Sequence, residues 1–484
     1  MRLPRFPIVQ LVVTGVVVLF LMLSGHSYCQ ENIVQKSDNL TGIKVIRKII
    51  ITGNKITRPR IITREMKFRE HDTLSIRDLK AALVISRQNI FNTGLFNFVT
   101  VDTLVVDSTW QMDVKVSVLE RWYIWPIPLL EISERNFNVW WETRDFSKLT
   151  YGMDFTINNM RGRNETLRLL AHFGYNQLYG FTYKIPYVNR NQTIGMGIGG
   201  GIELHHELAV KTINNRPVNE KDSSAYLKKI LYAYAEMQLR PSFHSTHTFR
   251  LSYNYYIFGG DIVAIPGFSL VAASHQQFAT ISYYFRNDHR DAAYFPLTGY
   301  CLDLEVNHSI PYETAHNSYI RGNFRRYWQL AKRVFYGSGI LGKISFEKTQ
   351  PYYLQRGLGF GQDFVRGYEY YVVDGQQIAL WKNDMRFALI LPRVVKIGFI
   401  KTTKFNTIPF AVYLDLFSDL GYVYNYQQHL AEFNAQGNTL QNQLLAGVGL
   451  GLDLTTYYDI VVRFEGSMNR MGQTGFFLHF TTPI

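Results

Sequence analysis

The sequence predicts a membrane all-β protein, a 16-stranded antiparallel outer-membrane β-barrel preceded by one small α+β domain. Three observations predict it. Beyond Leu149 the chain alternates: Leu231, Ala233, Ala235, Met237 and Leu239 fall on one face of an extended segment, and Tyr232, Tyr234, Glu236, Gln238 and Arg240 on the other. About sixteen such segments of roughly ten residues follow one another between turn signals, the signature of an even-stranded barrel. No segment after the N-terminus holds an apolar run long enough for a membrane helix, so a crossing requires a closed barrel.

The first element is an export signal. Arg2 and Arg5 form a basic start, Ile8 to Leu23 is an apolar run, and the small residues Ser27 and Cys29 precede a cut at Gln30. Residues 1–29 are read as a signal peptide and 30–43 as a short linker. After cleavage Cys301 is the remaining cysteine, so no intramolecular disulfide forms and stability must come from packing and hydrogen bonds. Export without disulfides suits a Gram-negative envelope protein, and with the barrel pattern the expected location is the outer membrane. The net charge of +13 is scattered along strands and loops, with no basic stripe and no nucleic-acid module. Either anionic lipid headgroups or acidic partners are its counterparts, or the charge merely keeps a large surface soluble.

Residues 44–120 read as strand, helix, helix, strand, strand. Val45 to Ile51 ends at Gly53-Asn54, and Pro59 introduces a short helix to Phe68. Ser75 can cap a longer helix with Leu79, Ala82, Leu83, Ile85 and Ile90 near one face, and Gly94 can stop it. Asn97 to Val106 and Gln111 to Leu119 then form a hairpin turning at Asp107-Ser108. The run Ile49-Ile50-Ile51-Thr52-Gly53-Asn54 followed by Asn92-Thr93-Gly94-Leu95-Phe96 resembles a POTRA domain, the polypeptide-transport-associated unit. Such a domain offers a strand edge to which an extended client can add by backbone hydrogen bonds.

Residues 121–148 carry Trp122, Trp125, Pro126, Pro128, Trp140 and Trp141 and read as an aromatic connector reaching the membrane surface or packing on the barrel rim. The barrel is expected over 149–484, with Leu149 to Asn158 as its first strand and Gly475 to Thr482 as its last.

Val365-Arg366-Gly367-Tyr368 lies between two strand patterns, and Phe417, Asp419 and Gly421 lie on a later strand. An arginine beside glycine on a long loop, with an aspartate on a later strand, suggests a loop folded inward and tied to the wall. Along that strand Phe410, Val412, Leu414, Leu416 and Leu420 point to lipid, which turns Asp415, Asp419 and Gly421 into the lumen. Parity alone leaves either aspartate open as the partner of Arg366.

With the POTRA-like unit ahead of it, the whole mature chain resembles the BamA/TamA-like outer-membrane proteins, the bacterial surface antigen family. That family carries V-R-G-F/Y in its sixth extracellular loop, matched by Val365 to Tyr368 between the eleventh and twelfth strands, and F-x-D-x-G on a later strand, matched by Phe417, Asp419 and Gly421. Further matches are Asp291 with Phe295-Pro296-Leu297-Thr298-Gly299 after the seventh strand, Asp384-Met385-Arg386-Phe387 on the twelfth and Arg463-Phe464-Glu465 on the fifteenth. The resemblance selects Asp419 as the partner of Arg366. It implies insertion or assembly of other outer-membrane proteins at a weak seam between first and last strands, placed here at Tyr151, Gly475 and Phe477, with the POTRA domain in the periplasm. The implied partners are unfolded outer-membrane protein clients, membrane lipids, and periplasmic chaperones or accessory lipoproteins; nucleic acid is not among them. The main assembly factors have several POTRA units where this chain has one, so a specialised paralogue or a two-partner-type secretion pore is the nearest alternative, and a passive porin or adhesin barrel the other.

Catalysis is not expected, and no cofactor or metal is implied. His205-His206-Glu207 fits no common zinc spacing, since adjacent residues on a strand face opposite ways. No phosphate-binding loop, CxxC pair or G-x-S-x-G elbow is present.

Overall fold

A computed structural model describes residues 42–105, 110–132, 149–271, 273–312, 316–396, 402, 406–427, 436–456 and 460–480. The signal peptide, the linker as far as Thr41, the Asp107-Ser108 turn, Trp140 and Trp141 lie outside them.

The N-terminal domain runs β1 (Ile43–Thr52), α1 (Pro59–Thr63), β2 (Thr73–Ser75), α2 (Ile76–Asn92), β3 (Phe96–Val105) and β4 (Gln111–Glu120). Its sheet has the order β2-β1-β4-β3, with β1 parallel to β4 and β3 antiparallel to β4. Pro59 opens α1, where a missing N–H costs nothing. Ser75 caps α2 by accepting from the Asp78 amide at 3.1 Å. One face of each helix closes a core of Ile46, Ile61, Ile62, Leu79, Ile90, Phe96, Val114 and Val116. β3 stands at the end of the sheet, so its outer edge has no strand partner among the described residues.

The second sheet has sixteen strands and begins at β5 (Ile124–Ile132). It continues through β6 (Leu149–Met160), β7 (Glu165–Gly174), β8 (Gln177–Ile185) and β9 (Ile194–His205). A hairpin of β10 (Glu207–Ile213) and β11 (Arg216–Lys221) stands apart, and β9 pairs directly with β12 (Lys228–Leu239). Then follow β13 (Ser245–Phe258), β14 (His275–Asp288), β15 (Gly299–Tyr312), β16 (Tyr319–Ala331), β17 (Val334–Ser345), β18 (Gln377–Lys396), β19 (Thr407–Tyr424), β20 (Leu444–Thr455), β21 (Val461–Asn469) and β22 (Thr474–Phe480). Each pairs antiparallel with the next. Register aligns the apolar faces: Leu231 opposes Tyr255, Ala235 opposes Leu251 and Met237 opposes Phe249. The result is an exposed apolar band that includes Leu251, Leu416 and Leu450, whereas Val412 is buried.

The barrel sheet therefore begins at Ile124, not at Leu149, and the connector expected over 121–148 contains its first strand. Pro126 and Pro128 hid it, because proline is excluded from most strands and tolerated where one edge carries no ladder. Counted from β5, the Asp291 turn follows the eighth strand, not the seventh.

The two domains dock closely. Tyr123 joins the core of the first, its hydroxyl donating to the Leu95 carbonyl at 3.0 Å, while its own carbonyl accepts from Asn158 at 2.7 Å. The buried carboxylate of Glu65 pairs with Arg64 at 2.8 Å and receives two guanidinium nitrogens of Arg240 at 2.7 and 2.8 Å. The Arg58 amide donates to the Gly162 carbonyl at 2.9 Å. The turns on this side of the barrel thus hold the N-terminal domain by charge and by backbone.

Candidate functional site

Between β17 and β18 the loop at 346–376 folds into the lumen. Leu358, Val365, Tyr368 and Val373 pack with Ile378, Leu380, Val423 and Leu445 of the wall, so the loop has a small core of its own. Asp363 receives Arg321 of β16 at 3.0 Å, and Lys343 of β17 donates to the Arg356 carbonyl at 3.1 Å.

Arg366 is 2% exposed and its donors are almost fully used. Nε donates to Asp419 Oδ2 at 2.8 Å, Nη2 to Asp419 Oδ1 at 2.5 Å, and the Arg366 amide also reaches Oδ2 at 3.1 Å. Nη1 donates to Asp384 Oδ1 at 2.5 Å. The guanidinium lies 4.0 Å over the Phe417 ring. The open choice between aspartates is resolved in space: Asp415 is 4.0 Å from Arg366 but 2.5 Å from Arg463, which grips Asp453 at 2.6 and 2.9 Å.

Glycine makes this approach possible. A Cβ on Gly421 would stand 2.4 Å from Val365 Cγ2, and one on Gly447 of β20 would stand 1.8 Å from the Arg366 carbonyl oxygen. Gly367 has φ +92°, which turns the chain directly after the arginine. The residues of the F-x-D-x-G pattern thus act together: Phe417 is a platform for the guanidinium, Asp419 its fork and Gly421 the space for the residue before it.

The network continues downward through Asp384 to Arg386, which donates to Asp384 Oδ2 at 3.1 Å and to the Pro296 carbonyl at 3.0 Å. Arg386 also lies 4.9 Å over Phe295. Asp291 shapes that turn by accepting from the amides of Ala292, Leu297 and Thr298 at 2.9, 3.1 and 3.2 Å. Four of the quoted patterns therefore form one chain of contacts from the lumenal loop to the turn between β14 and β15, ionic as far as Arg386 and through a carbonyl and a ring beyond it. The Arg463 pattern forms a second, parallel cluster with Asp415 and Asp453. The role of Asp384 as second acceptor for Arg366, and of Arg463 and Asp453 as a pair, was not apparent from the sequence, because those contacts depend on which strands are neighbours.

The expected seam residues separate. Gly475 and Phe477 lie on β22, the last strand, but Tyr151 lies on β6, the second, where it stacks on Phe173 of β7. The first strand is β5, and among the described residues no ladder joins it to β22. Because Tyr123 accepts from Asn158, the backbone groups of Tyr123, Trp125, Ile127 and Leu129 face β6. Pro126 and Pro128 alternate with them, so the two positions without N–H both face away from β6, toward the free edge. Loop residues cover the inner side of β22: Tyr370 lies 5.3 Å from Phe477 and Phe364 stacks 5.9 Å from His479.

His205 ends β9, and His206 lies between β9 and β10. His205 lies 3.1 Å from Glu203, and Nδ1 of His206 lies 2.6 Å from the Asp222 carbonyl.

Residues 159–456 match the model of the Omp85 superfamily domain, and residues 44–121 match the POTRA model described as a surface antigen variable number repeat. No curated protein matches the chain in sequence. Among solved structures, CdiB from Escherichia coli is similar with a TM-score of 0.54 at 13% identity, over 91% of this chain and 74% of that one. BamA from Haemophilus ducreyi lacking POTRA domains 1–3 aligns with a TM-score of 0.48 at 17% identity, over 90% and 83%. CdiB from Acinetobacter baumannii aligns with a TM-score of 0.48 at 13% identity, over 90% and 74%.

Proposed function

The chain belongs to the Omp85 superfamily, and from that premise we propose that it is an outer-membrane protein assembly factor that pairs client strands at the edge between β5 and β22. The periplasmic POTRA domain offers the end strand β3 as the first docking edge, by backbone addition. Unfolded outer-membrane proteins are the clients. Lipid surrounds the exposed apolar band.

The observation that carries this reading is the pair Pro126 and Pro128. They deprive the outward edge of β5 of two successive donors, so a full ladder with β22 cannot form there. A barrel closed on all sides has no edge to offer; this one has an edge short of donors at the place where strand exchange requires opening. The docked loop argues against a passive porin, since Arg366 ties it into the lumen against the wall strands β18 and β19.

Cysteine pairs placed with one member in Ile124–Ile132 and the other in Thr474–Phe480 test the seam. The oxidised protein in liposomes is expected to stop inserting an unfolded outer-membrane barrel, and reduction to restore insertion. Full insertion by the locked form would overturn the reading. Export of a soluble passenger through the locked form, without insertion activity in either redox state, would favour the two-partner-type secretion pore instead.

A further inference from the structure

We propose that Glu369, Glu465 and His479 form a site for one divalent cation of the zinc type, which would pin the lumenal loop to the last two strands. One ligand atom from each residue lies within 4.8 Å of the other two. They come from three elements: Glu369 from the loop, Glu465 from β21 and His479 from β22. Glu465 is 1% exposed and neither of its carboxylate oxygens receives a hydrogen bond. Nε2 of His479 is also without a hydrogen-bond partner and faces Glu465 Oε2 at 3.9 Å. A buried carboxylate facing an imidazole nitrogen at that distance places two metal-ligand donor types side by side on neighbouring strands.

The surroundings hold the ligands in place. Gly367 directs its amide to both oxygens of Glu369, at 3.1 and 2.9 Å, and Phe364 stacks on the His479 ring. Arg463 directs Nε and Nη2 to Asp453 and Asp415, and its Nη1 stays 4.0 Å from Glu465 Oε2, beyond hydrogen-bond reach. The network around the cluster places Arg366, Lys382, Arg386 and Arg463 among Asp384, Asp415, Asp419, Asp453, Glu369 and Glu465, so acidic side chains outnumber basic ones by two.

Two carboxylate oxygens and one imidazole nitrogen suit zinc and its neighbours, whereas calcium and magnesium prefer oxygen alone. Three protein ligands leave a fourth position for water. Donors about 2 Å from a central ion lie roughly 3 to 4 Å apart, so Glu465 and His479 are already near the required spacing.

The test uses the full mature protein in detergent, stripped with chelator, with a gel-mobility check that the barrel is folded. Zinc is expected to bind at one equivalent per chain, with magnesium and calcium failing to bind. His479→Gln should abolish that equivalent and Glu465→Gln should weaken it at least tenfold. Cobalt should give the absorption of a four-coordinate ion in the wild type and lose it in His479→Gln, which decides the matter even if Glu465→Gln does not fold. Absence of stoichiometric binding, which would mean that the two glutamates share a proton instead, or binding that persists in folded His479→Gln, would overturn the proposal. The outcome is independent of client insertion.

Discussion

Arg366 and Asp419, 53 residues apart in sequence, are joined by three hydrogen bonds, two from the guanidinium and one from the arginine's own amide. The backbone bond matters as much as the side-chain fork. It fixes where the loop lies, not only which charge it carries, and so ties the conformation of the loop to one residue of β19.

Removing the guanidinium leaves Asp419 and Asp384 buried without their main partner. Arg366→Ala is expected to cost about 3 to 5 kcal/mol, seen as a lower melting midpoint of the folded barrel. Arg366→Lys should recover little, since an ammonium cannot fork to two carboxylates at once. Exchanging the pair, Arg366→Asp with Asp419→Arg, should also fail, because the new aspartate would face Asp384. A swap as stable as the wild type would show that Asp384 does not share the guanidinium.

The glycines that admit the loop should be sensitive in proportion to the clash. Gly447→Ala places a methyl 1.8 Å from the Arg366 carbonyl oxygen, while Gly361, in the same loop, has nothing within 4 Å. Protease digestion of the folded protein should cut the loop in Gly447→Ala and leave it intact in Gly361→Ala. Equal resistance in both would contradict the packing described.

Restoring donors to the first strand should tighten the seam. Pro126→Ala with Pro128→Ala returns two N–H groups to the outer edge of β5, and client insertion should slow several-fold while the melting midpoint rises. Faster insertion by this variant would remove the prolines from the proposed mechanism.

Asp374 gives the loop a pH dependence. It is 2% exposed, accepts from Thr212 of the β10–β11 hairpin at 3.1 Å, and burial pushes its carboxyl up to about 7. The folded state therefore holds a proton that the unfolded chain releases near pH 4. Its contribution is fully present below that point and is lost as pH rises through about 7. Thermal midpoints compared between pH 5 and pH 8 should fall in the wild type by more than in Asp374→Asn. An identical fall in both would exclude Asp374 as the source.

Glu65 holds the two domains together through Arg64 and Arg240. Glu65→Gln should loosen that junction without unfolding either part, read as a broader distance distribution between spin labels on the POTRA domain and on a barrel turn. An unchanged distribution would mean that Tyr123 and the backbone bonds suffice.

The barrel was legible because lipid on one side and a wet lumen on the other impose alternation along every strand, and because Val365 to Tyr368 and Phe417 to Gly421 are compact patterns. Asp419 was reachable through resemblance, since parity turned Asp415 inward as well. The first strand was hidden by Pro126 and Pro128, which break a strand pattern for the same reason that they suit a free edge, and this displaced the expected seam from β5 to Tyr151. Partners such as Arg463 with Asp415, or Arg386 with the Pro296 carbonyl, are set by which strands and turns lie side by side. No local pattern encodes that.

The edge of β5 keeps its carbonyls at Pro126 and Pro128 while lacking the matching amides. A strand that adds there can give hydrogen bonds at those positions and receives none, so two of its own carbonyls stay unpaired against the membrane. On the proposed reading that imbalance favours turnover: a template that satisfied its client completely would retain it, and one that leaves it wanting hands it on to the better partner, which is the client's own next strand.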